Sequence, residues 1–326
     1  MLALAPVAAF LVALAAARLL LTTAGRRIAL DTPNERSLHA HPVPRTGGIA
    51  IAAGVAVACS FAPTGVAVIL AGAAALAAVS FADDLAGLPT LARLAAHLAA
   101  AGTALYYQVG YSEPILFAAL LLAIAWYANL YNFMDGADGL AGGMTVIGFG
   151  AYAIAAFLAG GEGVAVLCAS LAAAAAGFLV FNFPPARLFM GDVGSVPVGF
   201  LAGAVGVYGW SRAWWPLWFP LLVFAPFVGD ASLTLLRRLL RGERVWRAHR
   251  EHYYQRLVRM GFGHRATAAI EYAAMLICAA TALYARHEPA PVQAQALAGA
   301  AVLLVAVAVW VDLRWARYLR AGGTPA

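Results

Sequence analysis

Apolar runs of about 17 to 21 residues recur along almost the whole chain, interrupted by short polar segments. A helix that crosses a bilayer needs about 20 such residues. The pattern predicts about eleven transmembrane helices, near residues 3–21, 47–62, 65–82, 91–109, 115–131, 143–160, 163–181, 195–210, 214–230, 267–285 and 294–312. The connections alternate in character. On one side they are brief (APTG, GYSEP, GGEG, WSRAWW, RHEPAPVQ); on the other lie residues 22–46, 83–90, 132–142, 182–194, 231–266 and the C-terminal tail. No polar segment is long enough for a soluble domain, so residues 1–326 read as one all-α polytopic membrane domain.

Composition agrees: of 326 residues 63% are hydrophobic and 11% charged, and the mean hydropathy is +0.82. Every basic residue other than histidine is an arginine, 21 in all, and the isoelectric point is about 9.5. Placement assigns that charge to the membrane and excludes a nucleic-acid partner. Nearly all arginines fall on the long-loop side, with Arg212 and Arg286 on the other, and positive loops face the cytoplasm. The chain is therefore expected in a bacterial cytoplasmic (inner) membrane with its N-terminus outside, its C-terminus inside and the long loops in the cytoplasm.

Those loops hold the chemistry. In FADDLAGLP, Asp83 and Asp84 stand together at the end of an apolar run, where paired acids are costly without water, arginine or a metal. Neighbours on a helix point about 100° apart, so the two are expected to have different tasks. In NLYNFMDGADGLAGG, Asn129, Asn132, Asp135 and Asp138 recur every three residues, a spacing that groups side chains on one helical face, and Gly136 and Gly139 permit a turn. In FNFPPARLFMGDVGS, Pro184 and Pro185 end a span, Ser195 is a candidate cap for the next helix, and Asp192 lies near that helix's N-terminus, a place suited to phosphate and to the cation that bridges it. Hard oxygen ligands from separate loops suit magnesium, with manganese as an alternative; calcium would require a denser loop and zinc more than His249 and His252. Asp192, Asp83 and Asp135 are the candidate metal ligands, and Asp83, Asp84 and Asp192 the candidate catalytic residues.

Two basic segments complete the set. In HREHYYQRL, His249, His252 and Arg256 follow at spacings of three and four and are expected to converge on one anionic group. In DTPNERSLHAHPVPRTGG, three prolines and two glycines predict an irregular connection in which Arg36, His39 and Arg45 are candidate phosphate contacts.

In this order, the five motifs resemble the polyprenyl-phosphate N-acetylhexosamine-1-phosphate transferases, the glycosyltransferase family 4 membrane enzymes that include phospho-N-acetylmuramoyl-pentapeptide transferase. The resemblance covers about residues 25–265. It matches Asp83 and Asp84 to the family's paired aspartates, Asp192 to its metal-binding aspartate, Asn132 and Asp135 to its nucleotide motif, and His249 and His252 to its last cytoplasmic loop. It implies a magnesium-dependent phosphotransferase that moves N-acetylhexosamine-1-phosphate from a UDP-sugar to undecaprenyl phosphate, with UMP as the second product. DDLAGLPTLARLAAH and HxxHxYQRL are similar to the branch that initiates O-antigen and related surface glycans. Separated histidines and the lack of lysine depart from the muramoyl-pentapeptide branch. Expected partners are the UDP-N-acetylhexosamine, undecaprenyl phosphate, membrane lipid and a second copy in a homodimer. The competing class is a multi-span transporter or flippase, whose acids belong near the bilayer midplane instead of at one face.

Overall fold

In the computed structural model, the described residues are all but 1–3, 23–28, 34–37, 39–40, 112, 246–248 and 324–326. The chain is 79% helical. The helices are α1 (Ala5–Leu20), α2 (Gly47–Cys59), α3 (Ala67–Ala86), α4 (Thr90–Val109), α5 (Pro114–Met134), α6 (Leu140–Leu158), α7 (Glu162–Asn182) and α8 (Asp192–Ser211), followed by α9 (Trp218–Val223), α10 (Ala225–Leu240), α11 (Tyr253–Leu257), α12 (Gly263–Ala285) and α13 (Ala290–Arg320). Strands β1 (Leu30–Asp31) and β2 (Val43–Pro44) pair antiparallel between α1 and α2. Among the described residues, seven helices are long and apolar enough to cross a membrane, and α1 and α2 are shorter apolar helices. The protein is an all-α, multi-span integral membrane protein.

Small residues set the packing. α1 turns Ala5, Ala9, Ala13 and Ala17, four residues apart, onto α2 and α7. Gly54 on α2 faces Ala174, and Gly177 on α7 faces the Phe10 carbonyl, approaches that a larger side chain would block. α8 is buried along almost its full length between α2, α3, α4 and α5. Because α3 and α5 end where α8 begins, that packing brings the Asp83–Asp84 pair, Asn132 and Asp192 to one end of the bundle.

Several boundaries depart from the expected ones. Residues 214–230 are not one helix: the chain breaks at Phe224, and α10 runs on to Leu240 with Pro226 in its first turn, where a missing N–H costs nothing. The expected loop 231–266 therefore begins as helix. α3 extends through Asp83 and Asp84, and α13 continues to Arg320 instead of ending near 312. The irregular stretch around Asp135 shrinks to residues 135–139, between α5 and α6.

Candidate functional site

Three loops are zipped together by main-chain hydrogen bonds. The Gly47 and Gly48 amides donate to the carbonyls of Phe189 and Met190, each at 2.8 Å, and Phe189 N–H donates to Pro44 O at 2.8 Å. Gly191 has φ +70°, and its N–H donates to Asp135 Oδ2 at 3.2 Å. A Cβ there would also strike the Arg45 carbonyl, so both backbone angle and space call for glycine. The RTGG, MDGADG and FMGDVGS segments thus form one platform beneath Asp192.

The acids on this platform divide as their helical positions require. Asp83 accepts the Leu88 N–H at Oδ1 (2.6 Å) and pairs with Arg93 at Oδ2 (2.9 Å). Asp84 points elsewhere and pairs with Arg45 at 3.1 Å. Asp192 Oδ2 accepts Asn132 Nδ2 at 3.3 Å, while Ser195 Oγ donates to Asn132 Oδ1 at 3.0 Å. Ser195 is therefore not the helix cap: α8 starts at Asp192 with Gly191 as its N-cap, and the hydroxyl instead orients Asn132. Burial drives the Asp135 carboxyl well above the usual carboxylate range, and the nearby charge of Asp192 adds to this while the Gly191 N–H opposes it; Asp31 on β1 contributes further negative charge. Among the described residues, no three His, Cys, Asp or Glu side chains gather to hold a metal by themselves. Magnesium commonly takes one or two protein carboxylates, with phosphate and water completing its shell. Asp192 and Asp135, two acids whose charges oppose one another, fit that limited role. Asp83 fits it less well, since each of its oxygens already has a donor.

A cleft of about 360 Å³ opens beside this platform, lined among others by Asp83, Asn129, Asn132, Asp192, His249 and His252. Arg93 and His97 on α4 line it as well. Asn129 Nδ2 donates to Ala125 O at 2.7 Å and lies 3.2 Å from His97 Nδ1. His249 and His252 have ring centroids 4.9 Å apart. Burial first, then His252 and Arg238, lower the His249 pKa to about 4, so this imidazole is neutral near pH 7. His252 differs in having a carboxylate behind it. Its Nδ1 lies 3.0 Å from Asp230 Oδ1 on α10, and Asp230 also accepts the N–H groups of Tyr253 (3.0 Å) and Tyr254 (3.1 Å).

Other expected residues lie elsewhere. Arg256 does not join the histidines: α11 begins only at Tyr253, which turns Arg256 toward α13, where Nη1 meets Asp312 Oδ1 at 2.9 Å and the guanidinium lies over the Tyr253 and Trp315 rings. Asp138 is buried away from the cleft. Its Oδ2 accepts the Ala186 N–H at 2.9 Å and its Oδ1 lies 3.3 Å from His264 Nδ1, so it ties two loops together. The turn at 135–139 removes Asp138 from the helical face assumed from its spacing. Arg45 reaches the site as the partner of Asp84. Arg36 and His39 lie outside the described residues.

Arg93, His97, Asp230 and Asn182 were not singled out from the sequence. Asn182 accepts the Gly139 N–H at 3.0 Å and donates to Leu188 O at 2.9 Å, joining the second and third motif loops. A polar group within an otherwise apolar run was the available signal for His97 and Asp230.

The sequence model for glycosyl transferase family 4 matches residues 66–209. A probable undecaprenyl-phosphate N-acetylglucosaminyl 1-phosphate transferase of Bacillus subtilis (strain 168) is 30% identical, over 82% of this chain and 81% of that protein. A decaprenyl-phosphate N-acetylglucosaminephosphotransferase of Mycobacterium tuberculosis (strain ATCC 25618 / H37Rv) is 31% identical, over 76% and 74% respectively. A phospho-N-acetylmuramoyl-pentapeptide-transferase of Geobacillus thermodenitrificans (strain NG80-2) is 42% identical over a shorter stretch, 32% of each chain. With such similarity along most of both partners' lengths, the chain belongs to glycosyl transferase family 4.

Proposed function

We propose that this protein transfers an N-acetylhexosamine-1-phosphate from a UDP-sugar to undecaprenyl phosphate, releases UMP and so begins a lipid-linked cell-envelope glycan such as O-antigen. The observation that carries the reading is the shared cleft. Asp83, Asn132, Asp192 and His252, from four separate elements of the chain, line one cavity at the helix ends. Relatives named as undecaprenyl- and decaprenyl-phosphate transferases support a polyprenyl phosphate acceptor, whose headgroup lies at a bilayer surface. The arginine distribution supports a cytoplasmic position for that surface, which in a bacterial inner membrane is where a UDP-sugar is available.

Two anionic phosphates must meet, so repulsion and positioning dominate the barrier. Asp192, with Asp135 behind it, would hold magnesium, which supplies charge neutralisation to the donor's diphosphate when bound. Arg93, held by Asp83 and lining the cleft, would meet the acceptor phosphate. An oxygen of the acceptor phosphate attacks the donor's sugar-linked phosphorus, a new P–O bond forms, and the bond to UMP's oxygen breaks. A phosphate monoester is already largely dianionic at pH 7, so direct attack needs no strong base. His252, which lines the cleft, presents its Nε2 side to the diphosphate, and Asn129 with Asn132 orients the donor.

The test is UMP release by detergent-purified protein supplied with UDP-N-acetylhexosamines, polyprenyl phosphate and magnesium. Release that requires all three supports the reading. No release with any N-acetylhexosamine donor, from protein that is folded, overturns it.

A further inference from the structure

Behind the cleft, one buried carboxylate organises the histidine segment. Asp230 lies in the second turn of α10 and is 7% exposed; His252 is 3% exposed. Four donors converge on this carboxylate. Oδ1 receives His252 Nδ1 at 3.0 Å, Tyr253 N–H at 3.0 Å and Thr234 Oγ at 3.1 Å, and Oδ2 receives Tyr254 N–H at 3.1 Å. An ionised carboxylate only accepts, so the hydrogen of His252 must be on Nδ1. Gln255 closes the other side of the turn by accepting the His252 N–H at 3.1 Å. The ring is held by stacking against Phe133 and Tyr254. The Gln255 backbone N–H faces the His252 side chain in a capping box, and His252 lines the cleft.

We propose that Asp230 is a positioning residue for the transfer reaction: it pins the Nδ1–H form of His252, leaving Nε2 as the one ring nitrogen that meets the phosphates. The proposal rests on the reading of His252 as a phosphate contact. When neutral, His252 offers a lone pair at Nε2 to a proton on a phosphate or sugar hydroxyl. When protonated, it offers N–H to a phosphate oxygen. Among the described residues no acid pairs with His249 as Asp230 pairs with His252, so the two histidines are not equivalent. Phe133, at the edge of the same cleft, keeps the imidazole plane from turning.

Two measurements on the full-length protein in detergent test this. Ring ¹⁵N spectra, with His252 assigned by its loss in His252→Gln, should show a single Nδ1–H tautomer in the wild type and a mixture in Asp230→Asn. A bare Nδ1 in the wild type overturns the proposal. In kinetics, Asp230→Asn should lower kcat roughly 10- to 100-fold while the donor KM stays within about threefold. In a His252→Gln background the same exchange should cost less than about twofold, because the group it acts through is gone. Equal losses in both backgrounds overturn the proposal and make Asp230 a structural cap. Asp230→Glu, which keeps the charge, should recover part of the kcat lost in Asp230→Asn, and it serves with the wild-type spectrum if the amide variant does not fold. Full activity of His252→Gln would remove the underlying reading of His252, while the spectra still decide whether Asp230 fixes its tautomer.

Discussion

Gly48, at the start of α2, lies directly on the backbone of Gly194 in the first turn of α8; a Cβ built on Gly194 would sit 2.6 Å from Gly48 Cα. This contact keeps α8 close enough for the 189–190 carbonyls to accept the Gly47 and Gly48 amides, and so fixes the height of Asp192. Gly48→Ala should therefore destabilise the protein by about 1–3 kcal/mol, the usual cost of overpacking, although alanine favours helix elsewhere. A lower thermal midpoint together with lost turnover is expected. An unchanged midpoint would mean that the two helices separate freely.

Asp192→Asn should abolish nearly all turnover while the protein still inserts and folds. The amide keeps the shape of the side chain but loses the charge that the proposed magnesium site requires. Asn132 would face an amide that can turn its oxygen toward Nδ2, so the local packing survives. Excess magnesium should restore little. Activity above about a tenth of wild type, a barrier change under roughly 1.4 kcal/mol, would return Asp192 to a structural role.

The arginine distribution predicts an orientation that reporters can check. A fusion after Gly87 or Gly242 should report the cytoplasm, and one after Gly160 or Glu288 the outside. All four positions lie at helix ends or turns of the structure, where an insertion disturbs packing least. Opposite sides for Gly87 and Gly242 would disperse the proposed active face.

The acids of the platform were legible because aspartate, asparagine and glycine stand out in a chain this apolar, and Asp83, Asn132 and Asp192 do share a cleft. What was not legible depended on where helices begin and turn. Asp138 has the right spacing from Asp135 for one helical face, yet the turn at 135–139 removes that face and gives Asp138 to the Ala186 amide and His264. Asp230 resembled a lone acid at the end of an apolar run, since nothing local indicates that residues 252–254, more than twenty positions later, would place three donors on it. Asp312 was equally invisible. Its partners come from α10 and α11, and only tertiary packing brings α13 beside them.

Arg256 gives a clear separation between spacing and structure. It meets Asp312, which Arg237 also contacts at 2.9 Å and Tyr253 OH at 3.2 Å, so one carboxylate gathers α10, α11 and α13. Arg256→Ala should lower the thermal midpoint, the loss of a charge-assisted contact being worth about 1.5–3 kcal/mol. In the folded fraction the donor KM should change by less than about threefold. Asp312→Asn should destabilise similarly, and the double variant less than the sum. A large, selective rise in donor KM for Arg256→Ala would instead place the guanidinium on the diphosphate.

His249 supplies a pH signature with a definite sign. Its ordinary value is 6.5 and its folded value about 4, lowered by burial and then by the charges of His252 and Arg238. Between these values the unfolded chain binds a proton that the folded protein does not, so protons favour unfolding there. The stabilising contribution is present above about pH 6.5 and is lost progressively as the pH falls toward 4. In His249→Gln, which cannot titrate, the decline of the thermal midpoint from pH 6.5 to 4 should be shallower than in the wild type, while the two proteins differ least in slope above pH 7. The comparison is made by following unfolding in detergent at fixed ionic strength, since screening alters the Arg238 contribution. Parallel curves across the whole range would show that His249 is as accessible to protons folded as unfolded, and would place it in open solvent instead of at the wall of the cleft.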